Sequence, residues 1–282
     1  MPKLIWSLCL AALGLLAVVP ATAQSPRVQS SGAQSSESEE LARSLRRHYG
    51  GLTSWEAVMT FADHPGVSAH VWQSRGRWRQ EWTFSVAAAP ETPGEGSESV
   101  PAIESGPVEA VAVAVGMNDR VVASCPEGGF ALPPLMFWLP ADPLARWKAW
   151  GVDIAERSYG FCGDAPCLML GAYSGHGAGG EAGPAVWLHN EDKSPLMLRY
   201  RAGGRVVSLD FDEYLTMGGF RLPGRVTVRA GEAVVAATVR WVAVNRADDE
   251  ALYARDQVGA SQCVAPPPPF DLLRDLRHPA AE

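Results

Sequence analysis

Asp210 and Asp212 stand two apart in an alternating run, so their carboxylates share one face of a strand. A carboxylate pair is the minimum equipment for general acid–base work. Leu209 and Phe211 point the other way, so the pair fits equally well the wet side of a half-buried strand. His189-Asn190-Glu191-Asp192 gathers metal-ligand types, but Lys193-Ser194-Pro195 follows, and turns favour the same residues. Gly171-Ala172-Tyr173-Ser174-Gly175 misses the Gly-x-Ser-x-Gly spacing of a nucleophile elbow. The glycine-rich loop 175–183 lacks the Gly-Lys-Ser/Thr that cradles phosphate. The 6 histidines (His48, His64, His70, His176, His189, His278) fall into no zinc pattern. The expectation is therefore a non-enzymatic protein with no catalytic residue, no metal and no cofactor.

Aromatic residues carry a different signal. In "RGRWRQEWTF" (75–84), Trp78, Trp82 and Phe84 alternate with a charged set, Arg75, Arg77, Arg79 and Glu81. Leu198 with Tyr200, Leu209 with Phe211, and Trp241 with Val239 extend the apolar face on later strands. A core is the ordinary use of such a face. Here few helices are available to cover it, which leaves apolar surface for a greasy ligand. The arginine row is a candidate for an anionic head group or an acidic partner, against the commoner fate of a solvated face.

The elements that position these residues follow from local pattern. Lys3, the apolar run Leu4–Val19 and Ala21-Thr22-Ala23 have the layout of a secretory signal peptide, residues 1–23. Residues 24–38 read as a flexible tether, and a helix from about Glu39 buries Leu41, Leu45 and Tyr49. From Trp55 the period changes to two, with about ten strands up to Asn245, among them Asp153–Phe161, Arg205–Tyr214 and Phe220–Arg229. Two interruptions stand out. Residues 89–107, rich in Glu and Pro, read as a disordered acidic insertion. Leu132 to Trp150 predicts one or two short helices, with Leu135, Phe137, Trp138, Leu144 and Trp147 as a lid. The tail 247–282 is read as helical, then proline-rich. The fold class is mainly β (α+β): a curved antiparallel sheet forming an incomplete half-barrel, capped by the N-terminal helix and the mid-chain lid.

Outside the leader, Cys125, Cys162, Cys167 and Cys263 form an even set, which suggests two disulfides in an oxidising compartment. Four cysteines allow three pairings. Cys162 and Cys167 flank a turn-like loop and could close a hairpin, which would leave Cys125 and Cys263 to tie the tail to the body. A net charge of −7 argues against nucleic-acid binding.

The stretches "HYGGLTSWEAVMTFAD", "GRWRQEW", "VAVAVGMNDRVVAS", "PPLMFWLPADPLARW" and "PLMLRYRAGGRVVSLDFDEYLTMGGFRLPGRVTVRAGEAVVAATVRWVAVN" occur in that order. Together, from Leu41 to Asn245, they resemble the LolA/LolB-like superfamily of periplasmic lipoprotein-sorting and lipid-binding proteins, which includes sensor domains of the RseB type. The acidic insertion and the tail after Asn245 depart from that pattern. The resemblance implies one half-barrel domain over 39–246. Its concave face would hold acyl chains against Trp78, Trp82, Phe84, Leu198, Tyr200, Leu209, Phe211 and Trp241. It implies a periplasmic monomer that carries a lipid or acylated protein in outer-membrane traffic, with an inner- or outer-membrane partner protein. The alternative is an RseB-like protein-binding or sensor module on the same fold.

Overall fold

The computed structural model describes residues 31–86, 108–128, 130, 132–171, 183–202, 204–247, 249–258, 263–266, 268–270 and 273. The segment read as a signal peptide, the acidic insertion and the glycine-rich loop as far as 182 lie outside the described residues.

Helix α1 (Ser31–Tyr49) starts inside the segment read as a tether. Residues 33–49 contain neither glycine nor proline, so nothing in them stops a helix. Arg157 also holds its first turns, reaching Glu37 at 3.6 Å and the Ser38 hydroxyl at 3.1 Å. Leu41, Leu45 and Tyr49 recur every fourth residue and are buried. Arg46, Arg47 and His48 occupy the last turn, where cations complement the carbonyl end of the helix.

The strands are β1 (Ser54–Thr60), β2 (Val67–Ser74), β3 (Arg77–Val86), β4 (Val108–Met117) and β5 (Arg120–Cys125), then β6 (Arg157–Cys162), β7 (Ala165–Gly171), β8 (Ala185–His189), β9 (Pro195–Ala202) and β10 (Arg205–Asp212). They continue as β11 (Leu215–Met217), β12 (Phe220–Leu222), β13 (Arg225–Ala230) and β14 (Ala233–Val244). Twelve form one sheet in the order β5-β4-β3-β2-β1-β14-β13-β10-β9-β8-β7-β6; β11 and β12 make a separate hairpin flap. The sheet curves without closing, so the expected half-barrel is what forms. Its seam is the pairing of β1 with β14, where first and last strands meet. Asn245 closes that seam. Its side chain accepts from Thr53 N at 2.8 Å and donates to Gly51 O at 2.7 Å.

The two free edges are β5 and β6, and the chain between them, 126–156, carries the cap. A 3-10 turn (Pro134–Phe137) and α2 (Pro143–Ala149) lie in it. Asp142 caps α2 by accepting from Ala145 N at 3.2 Å, and Pro143 supplies a preset first-turn φ.

Five sequence expectations change. Arg75 is not in a strand: Arg75 and Gly76 have φ of 48° and 85° and turn β2 into β3, the positive-φ pair that matches strand twist in a tight hairpin. The run Arg205–Tyr214 stops at Asp212 because Glu213 takes φ 52°, and Phe220–Arg229 is broken by Pro223-Gly224. The strand expected from Asp153 begins at Arg157, since Asp153 instead turns the chain and accepts from Ala155 N at 2.9 Å. Where the tail read as helical is described, it forms 3-10 turns rather than an α-helix, at Glu250–Tyr253 and Arg255–Gln257.

Candidate ligand-binding site

The residues expected to line a groove are all buried: Trp78, Trp82, Phe84, Leu198, Tyr200, Leu209, Phe211 and Trp241 are each at most 7% exposed. The structure brings them into one core cluster, but they face other side chains. The cap supplies most of the cover. Leu135, Phe137, Trp138 and Trp147 are buried, and Leu144 is half-buried at its margin. Phe137 and Trp150 flank Tyr200, with ring centroids at 5.5 and 5.8 Å. Trp138 packs edge-on to Tyr49 of α1 at 5.5 Å and tilts onto Trp241 at 5.9 Å. Its indole N–H donates to the Tyr214 hydroxyl at 3.1 Å, and that hydroxyl donates to the Pro195 carbonyl. Burial pushes the Tyr49, Tyr200 and Tyr214 hydroxyls above their ordinary pKa, so all three stay protonated donors near neutrality.

Sequence reasoning missed where the free space lies. A cavity of about 500 Å³ opens between α1, the cap and the β2–β3 and β4–β5 turns. That is within the range of small-molecule sites, roughly 300–1,000 Å³. Its apolar wall includes Leu45, Leu52, Trp55, Leu135, Met136 and Leu139. Its rim carries Arg46, Arg75 and Arg146, with Asp119 and Asp142. Arg146 is paired with Asp119 at 2.6 Å; Arg46 and Arg75 are exposed. Leu135 and Leu144 are the expected lid residues that reach this cavity; none of the eight expected groove residues does. The signal for it was the amphipathic helix itself, whose apolar stripe was assigned only to covering the sheet.

Two of the remaining polar candidates, Asp210 and Asp192, have structural partners. Asp210 contacts Arg229 across β10 and β13. The 189–192 cluster is the β8–β9 turn. There Asp192 accepts from Ser194 N at 2.8 Å and from Arg221 of β12 at 2.7 Å. Burial opposes its charge, yet these bonds win and hold the carboxyl below the usual range. Among the described residues no group of three or more His, Cys, Asp or Glu gathers as a metal site, and no helix is long and apolar enough to cross a membrane.

The arginine row meets the chain's own tail. Arg77 lies 3.2 Å from Glu250 and over the Tyr253 ring at 5.2 Å. Arg79 is 8% exposed, pairs with Glu81 at 2.6 Å and donates to Leu252 O at 3.0 Å. Disulfides join Cys162 to Cys167 and Cys125 to Cys263.

No protein-family model matches the sequence, and no curated protein matches it. Solved structures similar to the chain include a DUF1329 family protein from Desulfovibrio piger, 12% identical over 79% of this chain and 98% of that one, with a TM-score of 0.43. A LolA superfamily protein from Nitrosomonas europaea is 11% identical over 78% and 98%, with a TM-score of 0.40. A domain ascribed to outer membrane lipoprotein sorting, from Vibrio parahaemolyticus, is 9% identical over 78% and 97%, with a TM-score of 0.39.

Proposed function

We propose that this protein binds an acylated amphiphile, with its chain in the cavity beneath α1 and the cap and its head group at the Arg46–Arg75 rim. In that role it carries a lipid or lipoprotein acyl group through the periplasm toward the outer membrane. The carrying observation is the cavity of about 500 Å³ with an apolar wall and exposed arginines at its mouth. Magnitudes favour entry with the cap largely in place. Each buried methylene contributes about 0.8 kcal/mol, so a chain of about 14 contributes about 11 kcal/mol. Lifting out Phe137, Trp138, Trp147 and Trp150, all at most 3% exposed, would cost more. At about 150–250 Å² per aromatic and about 25 cal/mol/Å², four of them amount to roughly 15–25 kcal/mol. The half-buried margin at Leu139 and Leu144 is the part that can swing. In this reading Trp78, Trp82 and their companions form the inner wall that a longer chain reaches after the cap shifts.

Ala42 lines the cavity from α1, so Ala42→Trp fills it from the solvent side. The wild type should bind dansyl-undecanoate by fluorescence titration. The variant should bind at least about tenfold more weakly, since about 1.4 kcal/mol is lost with two displaced methylenes. Absence of both probe binding by the wild type and acyl species in its organic extract would overturn the reading. A protein-binding role is the second reading. Tyr159 and Phe161, 70% and 77% exposed on edge strand β6, favour it, and it would leave the probe unbound.

A further inference from the structure

The C-terminal segment enters the core from the sheet edge. Cys263 is bonded to Cys125 at the end of β5, and Val264 N donates to Val111 O at 3.2 Å. Among the described residues, that is the last backbone bond the tail makes to a strand. Seven residues after Cys263, Phe270 is 1% exposed, and Leu273 is 7% exposed. The Phe270 ring sits 4.7 Å from Phe61, 5.0 Å from His64 and 5.8 Å from Trp82. Trp82 in turn stacks on Phe61 at 5.7 Å and Phe84 at 6.1 Å. The void left beside Phe270 is about 10 Å³, no more than one water needs. Leu132 borders both this void and the large cavity.

We propose that the socket formed by Phe61, Trp82 and Leu132 is a second apolar subsite for a saturated acyl chain, and that Phe270 and Leu273, tethered through Cys263, are its residents. The proposal rests on the carrier reading above and extends it. A short chain fills the rim cavity alone. A longer one passes Leu132 and exchanges its methyl end for Phe270. The exchange replaces apolar contact with apolar contact, which is non-directional, and among the described residues no strand pairing extends beyond Val264. The Cys125–Cys263 link keeps the displaced segment at the mouth, so rebinding is intramolecular.

The test compares the full chain with a variant ending at Ala265, which keeps the disulfide, using decanoate and stearate in calorimetric titration. Decanoate should bind both alike. Stearate should bind the shortened chain about tenfold more tightly, because a resident present about nine-tenths of the time lowers apparent affinity by that factor. Equal stearate affinity in the two folded proteins overturns this proposal and leaves the carrier reading standing. Failure of both proteins to bind either acid overturns the carrier reading itself. Should the shortened chain not fold, hydrogen exchange of the full chain decides. Stearate, and not decanoate, should speed exchange at Phe270 while leaving Val264 unchanged; unchanged exchange at Phe270 overturns the proposal.

Discussion

Trp78 shows how much one residue type depends on the strand opposite. Gly116 is its partner across β3 and β4, and the indole lies flat over the bare α-carbon. The indole N–H donates to Asn118 O at 3.0 Å. A β-carbon at 116 would sit 2.1 Å from Trp78 Cζ2 and 2.5 Å from Arg120 O. Gly116→Ala should therefore destabilise the fold by about 1–3 kcal/mol, the usual range for an overpacked core. A lowered urea midpoint with an unchanged slope would show it. In "VGMND" the turn was legible because Asn and Asp favour it. The reason for the glycine was not, because it lies on another strand. The arginine row was likewise legible as one outer face, while its occupant, Glu250 to Tyr253, is about 170 residues away, the span of the Arg79–Leu252 bond.

At the scale of elements, the question is what holds α1, the cap and the flap to the sheet. Asp192 is one fastener, joining the β8–β9 turn to Arg221 on β12, whose carbonyl also accepts from the Tyr49 hydroxyl of α1 at 3.2 Å. Hydrogen bonds from Ser194 and Arg221 hold its folded pKa below the usual carboxylate range. The stability it contributes is therefore complete above pH ~4 and is lost as the pH falls through the folded pKa. Asp192→Asn should lower stability at neutral pH by about 1 kcal/mol, discounted for the part-exposed Arg221. That is about 2–4 °C in Tm for a domain this size. Thermal melts of both proteins should converge as the pH drops below ~4. A gap that persists there would mean the loss comes from packing rather than charge. The existence of α1, the cap helices and most strands was readable from periodicity. Their exact ends were not, where positive-φ residues such as Glu213 cut a run that its side chains would have continued.

For the whole molecule, the decisive link is Cys125–Cys263, with a sequence separation of 138 against 5 for Cys162–Cys167. Chain entropy assigns about 5 kcal/mol to the long loop and about 2 kcal/mol to the short one, as upper values. Replacing Cys125 and Cys263 together by Ser should lower unfolding free energy clearly more than replacing Cys162 and Cys167. Guanidinium titrations of the two double variants check the order. A larger loss from the short loop would show that native contacts of the Cys162–Cys167 hairpin, rather than loop closure, dominate. The same link makes the tail part of the domain, although nothing in the tail's own composition demanded a core role.

The sequence by itself determined the alternation of strands, the amphipathic helix, the proline-started cap and the even cysteine set. It also determined the absence of any spacing that assembles a nucleophile or a zinc site. These are local properties, set by periods of two and 3.6 residues and by the backbone preferences of Gly, Pro, Asn and Asp. Only the tertiary structure decided where the apolar surface goes. Trp78, Trp82, Phe84, Tyr200 and Trp241 look alike in sequence whether they line a groove or fill a core. Cap, tail and α1 bury them through contacts between distant segments, and the space that remains lies at the rim, under α1. Burial is a property of volumes meeting across the fold, and no window of neighbouring residues contains it.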